Sequence, residues 1–542
     1  MSVENLVTWR LTDPQPQTAV MPGCLFMGKL LRTTGFFLPD TYNPFQKQMA
    51  LFLLRRPVLL ASTLLCLSPL VLPLVAQRPQ TDQRAVYISF ADARQVVSTL
   101  AEILPDELKG KSEREIAAAW PAWVARYDAK IRARLTQGDE DSLANFLLFG
   151  TSFTRQPRVT LEQLQSIKDV GTPIPARPSS NEQANPVPRL IDARITDLVS
   201  AVASLRGNGN DRLLFVRKII GEKGFHVETR EGREQARQYL ATSLQRVMNE
   251  NAGYARALEA ASVQGDASEE FAERSRLFRV RGLSSDTSLL PNYAIEESLK
   301  EIKTRGLLAS ASVRRVAVIG PGLDFTDKQE GYDFYPQQTI QPFAVIDTLL
   351  RLGLANADAL QVVTFDLSPR VNDHLARARD RALHGQVYVV QLPRDALVQW
   401  KPDAVRYWER FGDQIGSVTS PVVVPAAAGQ LKIRAVRVRT SLVSRVKPVD
   451  TNIVLQRLDL PEGEKFDLMI ATNVFVYYDN FDQSLAMINV ERMLKPAGLL
   501  LSNNALLELP FFKVHSAGYS TVIYSDRPND GDHIVWYRRS SE

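Results

Sequence analysis

The sequence predicts an α/β fold: parallel βαβ units in the carboxyl-terminal half, preceded by a mostly α-helical domain and an amino-terminal hydrophobic segment. Three observations predict it. From Val316 onward, short apolar runs alternate with amphipathic stretches of helical period, the pattern of a parallel sheet with crossover helices. Between residues 78 and 305 apolar residues recur at the 3.6-residue spacing of helices instead. Pro57 to Ala76 runs for 20 residues without a charge. A chain of 542 residues also exceeds one typical core, which implies two or more domains.

The apolar run follows Arg55 and Arg56 and ends in Leu74-Val75-Ala76 before Gln77. A basic flank, an apolar core and a small-residue exit fit a signal peptide, and an uncleaved anchor stays open. Pro57, Pro69 and Pro73 make it a poor straight helix, because interior proline removes a backbone donor and clashes with the preceding turn. Met49 opens this pattern and would serve as the start, leaving residues 1–48 as a non-native extension or a disordered segment. Residues 49–77 would then be the signal or anchor, with membrane association through 57–76. The positive flank predicts that the body crosses the membrane.

Residues 78–305 read mostly as helices. Val96, Val97, Leu100, Ile103 and Leu104 share one face, and Ser112 with Glu115 has the spacing of a capping box. Arg189–Leu205, Asp211–Ile220 and Glu231–Asn249 keep the same period. Thr172–Pro188 holds five prolines in seventeen residues and reads as a linker or surface loop.

In the last domain, 306–542, Val316–Ile319 is a strand that runs into Gly320-Pro321-Gly322. Glycines at the end of a buried parallel strand let a ligand approach the backbone, and a tight turn is the plainer alternative. A long loop with Asp327, Glu330, Tyr332, Asp333 and Tyr335 follows and reads as a lid or substrate-side insertion. Pro342 opens a helix with Phe343, Ile346 and Leu350 on one face, and Gly353 closes it. Gln361–Phe365 is the second strand and delivers Asp366 at its end, with Ser368 as the next helix's N-cap. An insertion spans 386–450, and Ile453–Leu458 reads as the third strand, followed by Asp459-Leu460-Pro461. Phe466–Ala471 is the fourth strand, ending in Thr472-Asn473, with Tyr477-Tyr478-Asp479 beyond. A helix over 482–494 and the turn Lys495-Pro496-Ala497-Gly498 lead into a fifth strand. Thr521–Tyr524 and His533–Tyr537 form a closing antiparallel hairpin.

Residues 312–538 resemble class I S-adenosylmethionine (SAM)-dependent methyltransferases. The "FDL…N…YYD" stretch is similar to the subset that includes chemotaxis-receptor methyltransferases, and Lys495–Gly498 resembles the family's "K-P-G-G" turn. The glycine loop departs from the pattern: Ile319 stands at the acidic position and the third glycine is missing. The resemblance implies a Rossmann-like seven-stranded methyltransferase sheet with SAM as cofactor. It implies cofactor contacts at Gly320, Pro321, Gly322, Asp366 (ribose hydroxyls), Asp459 (adenine amino group) and Thr472. Acceptor positioning would fall to Asn473, Tyr477 and Tyr478, the tyrosines having packing as their alternative. Methyl transfer from a sulfonium is an in-line displacement, so alignment and water exclusion suffice without a triad or metal.

Composition excludes several chemistries. Cys24 and Cys66 both precede residue 77, so the body has no disulfide framework or cysteine nucleophile. His226, His374, His384, His515 and His533 lack metal-ligand spacing. A net charge of +5 with dispersed arginines does not indicate a nucleic-acid partner. Three readings stay open: a SAM-dependent methyltransferase with an unidentified acceptor, an exported or membrane-associated non-catalytic binding module on a degenerate scaffold, and a nicotinamide oxidoreductase. Export and SAM use do not fit together, since SAM is made in the cytoplasm. The sequence does not specify the oligomeric state.

Overall fold

A seven-stranded mixed sheet organises the computed structural model, which describes residues 84–160, 163–164, 186–205, 210–264, 281–325, 332–425, 428, 430–526 and 530–541. The expectations for residues 1–48 and 49–77, and most of the proline-rich stretch, lie outside the described residues. The elements run β1 (Ala85–Tyr87), α1 (Phe90–Thr99), α2 (Glu113–Phe149), α3 (Val187–Ala203), α4 (Asp211–Glu222), α5 (Arg230–Gln264) and α6 (Leu290–Thr304). Then come β2 (Arg315–Ile319), α7 (Gln341–Arg351), β3 (Gln361–Asp366), α8 (Pro369–Leu383), β4 (Tyr388–Asp395), α9 (Pro402–Arg410), β5 (Gly416–Thr419) and β6 (Leu431–Val438). The chain ends with β7 (Val446–Asp450), β8 (Gln456–Leu458), β9 (Phe466–Ala471), α10 (Asn480–Met493), β10 (Leu494–Ser502), β11 (Val514–Ile523) and β12 (Gly531–Arg539).

The sheet order is β11-β12-β10-β9-β2-β3-β7. All neighbours from β10 to β7 pair in parallel, and β12 alone runs against them. The chain winds outward from β2 through β3 to β7, then returns to place β9 on the other side of β2. That reversal is a topological switch point, the place at the carboxyl ends of β2 and β9 where open α/β sheets form their ligand crevice. Both faces are covered, as the continuous apolar strands require. Val316, Val318, Leu468 and Ile470 pack on Leu299 of α6, Phe343 and Ile346 of α7, and Val371 and Leu375 of α8. Ala317, Ile319, Met469 and Ala471 pack on Val96 of α1, Trp120 and Trp123 of α2, and Leu485 and Val490 of α10.

The helical stretch is therefore not apart from the sheet: α1 and the first half of α2 belong to its core. The second half of α2 forms a separate apolar cluster with α3, α4 and α5 through Phe146, Ile195, Val216 and Leu240. The capping box is present, with Ser112 N–H bonded to the Glu115 carboxylate and Glu115 N–H to Ser112 Oγ. At Ser368 the cap works differently: its backbone N–H donates to Asp366, and its own hydroxyl caps nothing.

The third strand differs from expectation. It is Val446–Asp450, paired with β3, whereas Gln456–Leu458 pairs antiparallel with β1 in a two-stranded sheet. Period alone favoured Ile453–Leu458 because it is more apolar; the partner strand Ala85–Tyr87, hundreds of residues away, decided its pairing. The inserted segment accordingly ends before β7, and β4, β6 and β5 form their own antiparallel sheet.

The described parts of the expected lid are anchored inside the protein. Asp333 accepts hydrogen bonds from Thr151 N (2.7 Å), Thr151 Oγ1 (2.8 Å) and Ser152 N (2.9 Å). Arg212 is 1% exposed and donates to four backbone carbonyls, those of Asp324, Phe325, Asp333 and Tyr335. Asp327 and Glu330 lie outside the described residues.

In the turn after α10, Ala497 has φ +61°, a left-handed conformation that costs a Cβ-bearing residue about 1–2 kcal/mol. Ala497→Gly relieves that strain and loosens the unfolded chain. The expected net is about 0.5–1 kcal/mol of added stability, read as a raised urea midpoint.

Candidate functional site

The crevice is built from five strand ends. After β2, Gly320 (φ +64°) and Gly322 (φ +62°) turn the chain sharply. Both positions need glycine for packing within the chain: a Cβ on Gly320 would lie 2.7 Å from Val474 Cγ2, and one on Gly322 would lie 2.7 Å from Ser285 O. The loop's N–H groups are also used, Gly320 N by Phe365 O (2.8 Å) and Leu323 N by Ser285 O (2.7 Å). The Gly320-Pro321-Gly322 turn thus shapes the crevice wall more than it offers donors.

At the end of β3, the Asp366 carboxylate accepts from Ser368 N (2.8 Å) and from the Gly322 amide. Desolvation pushes its pKa up to about 6, against the pull of those two N–H groups and of Arg370. Buried polar atoms without hydrogen-bond partners gather here: Nε, Nη1 and Nη2 of Arg370, Oδ1 of Asn372 and Oγ1 of Thr451. Asn372 Nδ2 and Thr451 N both bond the Asp366 carbonyl, which ties those residues to this strand end. An unpaired buried polar atom costs about 1–3 kcal/mol, so such a group calls for a polar occupant. The Arg370 guanidinium lies 4.2 Å from the Phe215 ring centroid, with Asp139 and Asp286 at 3.7 and 3.8 Å. Burial pushes Asp139 up to about 6.

At the end of β9, Thr472 is buried and its hydroxyl accepts from Gln341 Nε2 (2.7 Å) at the start of α7. Asn473 is exposed and left-handed (φ +58°), a conformation asparagine tolerates. Its N–H donates to Asn503 Oδ1 (2.8 Å), and its Oδ1 accepts from Asn503 Nδ2 (2.7 Å) at the end of β10. Tyr477 is half-buried, with its carbonyl held by Arg134 (3.1 Å). Tyr478 is a core residue, 3% exposed, and burial raises its phenol pKa.

Asp459 is not at the end of a strand of the seven-stranded sheet. It is exposed and follows β8 in the two-stranded sheet, so the acid at the end of the third strand is Asp450, bonded to Arg132 (2.8 Å). Sequence reasoning found the start of α2 at its capping box but not its course along the strand ends. Tyr127 bonds Asp482, Arg132 bonds Asp450, Arg134 bonds the Tyr477 carbonyl, and Asp139 faces Arg370. Nothing local marks those residues, because their partners lie hundreds of positions away. Asn503 was within reach, since it directly follows an apolar strand, much as Thr472-Asn473 follow β9. Among the described residues no group of histidine, cysteine and acidic side chains could hold a metal, and no helix is long and apolar enough to cross a membrane. Residues 57–76 lie outside that search.

No family model matches the chain, and no curated protein matches it. Several solved structures are similar to part of it. The N-methyltransferase NodS from Bradyrhizobium japonicum WM9 is 12% identical, covering 45% of this chain and 97% of that one at a TM-score of 0.22. The glycopeptide N-methyltransferase MtfA complexed with SAM is 12% identical, covering 47% and 69% at 0.19. A TehB-like SAM-dependent methyltransferase from Corynebacterium glutamicum is 8% identical, covering 46% and 98% at 0.18. Likenesses this distant assign neither fold nor activity to this chain.

Proposed function

We propose that the chain is a SAM-dependent methyltransferase. The observation that carries this is the switch-point crevice between β2 and β9, with the Asp366 carboxylate at one flank and Asn473 at the other. A ligand with a ribose suits Asp366, whose carboxylate can accept from both hydroxyls. The polar atoms of Arg370, Asn372 and Thr451 that lack hydrogen-bond partners, Arg370 being ion-paired with Asp139 and Asp286, supply further contacts for a polar ligand beside it. Gly320, Pro321 and Gly322 give the backbone turn, and Thr472, fixed by Gln341, stands just past the end of β9. In the place expected for Asp459, Asp450 takes the role at the third strand. When bound, SAM supplies an electrophilic sulfonium methyl. The protein's part is to align an acceptor with it, using Asn473 and Tyr477, and to exclude water with α2. Tyr478 supports that wall from the core. The acceptor is not identified. This reading places the body on the side of the membrane where SAM is made, against the orientation that Arg55 and Arg56 predict.

Thermal denaturation with added ligand tests it. S-adenosylhomocysteine at about 100 times its Kd stabilises the folded state by about 2.7 kcal/mol, and NAD at the same concentration leaves the midpoint unchanged. A shift with NAD alone would point to the nicotinamide reading instead.

A further inference from the structure

The hydrogen bonds around Asn473 fix which end of its side-chain amide is engaged and which, among the described residues, is left free. A backbone N–H can only donate, so the Asn473 N–H identifies the Asn503 atom 2.8 Å away as the oxygen. The Asn503 NH2 group must then be the donor to the Asn473 side chain (2.7 Å), which therefore turns its oxygen inward. The same NH2 reaches Asp532 Oδ1 at 3.3 Å, an atom that can accept it. The other Asp532 oxygen accepts from Tyr524 OH, which holds this β12 carboxylate in place from the end of β11. The Asn503 NH2 is thus spent on two oxygens, those of Asn473 and Asp532. What remains is the Asn473 Nδ2, on the exposed side of a residue at the end of β9, with no partner among the described residues.

We infer that Asn473 meets the methyl acceptor as a hydrogen-bond donor, with Asn503 and Asp532 as the positioning residues that set this polarity. The acceptor molecule then carries a hydrogen-bond-accepting oxygen, of the carboxylate or carbonyl class, beside the atom that receives the methyl group. An ammonium group at that place would face two N–H donors and be turned away. The inference rests on the methyltransferase reading for the words "methyl acceptor"; the polarity of the amide does not.

The test uses the full-length chain labelled isotopically on its asparagine side chains, with the Asn473 signal assigned by its loss in Asn473→Asp. Two probes share a ring and differ in their head group: benzoate and benzylammonium. Each is titrated with and without saturating S-adenosylhomocysteine. The expected result is that benzoate shifts the Asn473 Nδ2 signal and binds at least about tenfold tighter than benzylammonium, the size of one charge-assisted hydrogen bond. Asp532→Asn keeps this preference, since an amide oxygen there still accepts from Asn503 and its NH2 can donate to Tyr524. The double variant Asn503→Asp/Asp532→Asn reverses it. A carboxylate at position 503 still accepts from the Asn473 N–H but draws in the Asn473 NH2, and the oxygen then faces out. Equal or better response to benzylammonium in the natural chain, or a double variant that folds and still prefers benzoate, overturns the inference. Absence of any shift with S-adenosylhomocysteine sinks the methyltransferase reading separately, while the probe comparison without it still decides the amide's polarity.

Discussion

Asp366→Asn is expected to weaken SAM binding about 100-fold while leaving the protein folded. A carboxylate accepting two ribose hydroxyls makes two charge-assisted hydrogen bonds, each worth about 1.5–3 kcal/mol, and the amide retains one neutral acceptor. The net loss of about 2–3 kcal/mol corresponds to that factor. Folding should not suffer. The folded-state pKa of about 6 lies above the ordinary 3.8, so the folded state binds more protons between those values, and stability falls as pH rises through that window. Removing the charge removes that cost at neutral pH, and the thermal midpoint at pH 7 should match or exceed the natural protein's. SAM affinity in the natural protein should decline as pH drops through about 6, because the protonated carboxyl loses an acceptor. The variant should lose that pH dependence. Calorimetry at neutral and mildly acid pH reads both effects. Unchanged affinity in Asp366→Asn removes the residue from the site.

Arg212→Met is expected to cost about 3–5 kcal/mol of stability, the range for breaking a buried charged network. The guanidinium joins α4 to both described ends of the loop beyond Gly322 through four carbonyls, and the Phe325 and Tyr335 rings lie 5.8 and 5.3 Å from it. Methionine fills much of the volume and donates nothing, so the carbonyls of Asp324, Phe325, Asp333 and Tyr335 lose a shared donor in a place water does not reach. Urea unfolding measures the loss, and a change under 1 kcal/mol would show that the loop is held by other contacts. SAM affinity should fall as well, because Asp324 and Phe325 directly follow the Gly320–Leu323 turn.

The strands and helices of the sheet were legible because their signals are local. Val316–Ile319, Gln361–Asp366 and Phe466–Ala471 are apolar runs bounded by polar turns, and the helices between them carry a clear apolar stripe. What failed depended on distant partners. Val446–Asp450 carries Lys447 and Pro448 and looked less like a strand than Ile453–Leu458, yet β3 recruits it, while β1 claims Gln456–Leu458. The candidate site divides the same way. Asp366, Thr472 and Asn473 sit at strand ends and could be read from position alone. Arg132, Arg134 and Asp139 reach the crevice only because α2 lies along those ends, and no spacing in the sequence encodes that. The charge on Arg370 was visible; its lack of a hydrogen-bond partner was not.

Calorimetric titration of SAM into the full-length chain addresses the central claim most directly. The geometry of the crevice predicts a single site of micromolar affinity, weakened in Asp366→Asn. A folded protein that takes up no heat from SAM at millimolar concentration would contradict it, leaving the switch-point crevice as the seat of some other polar ligand.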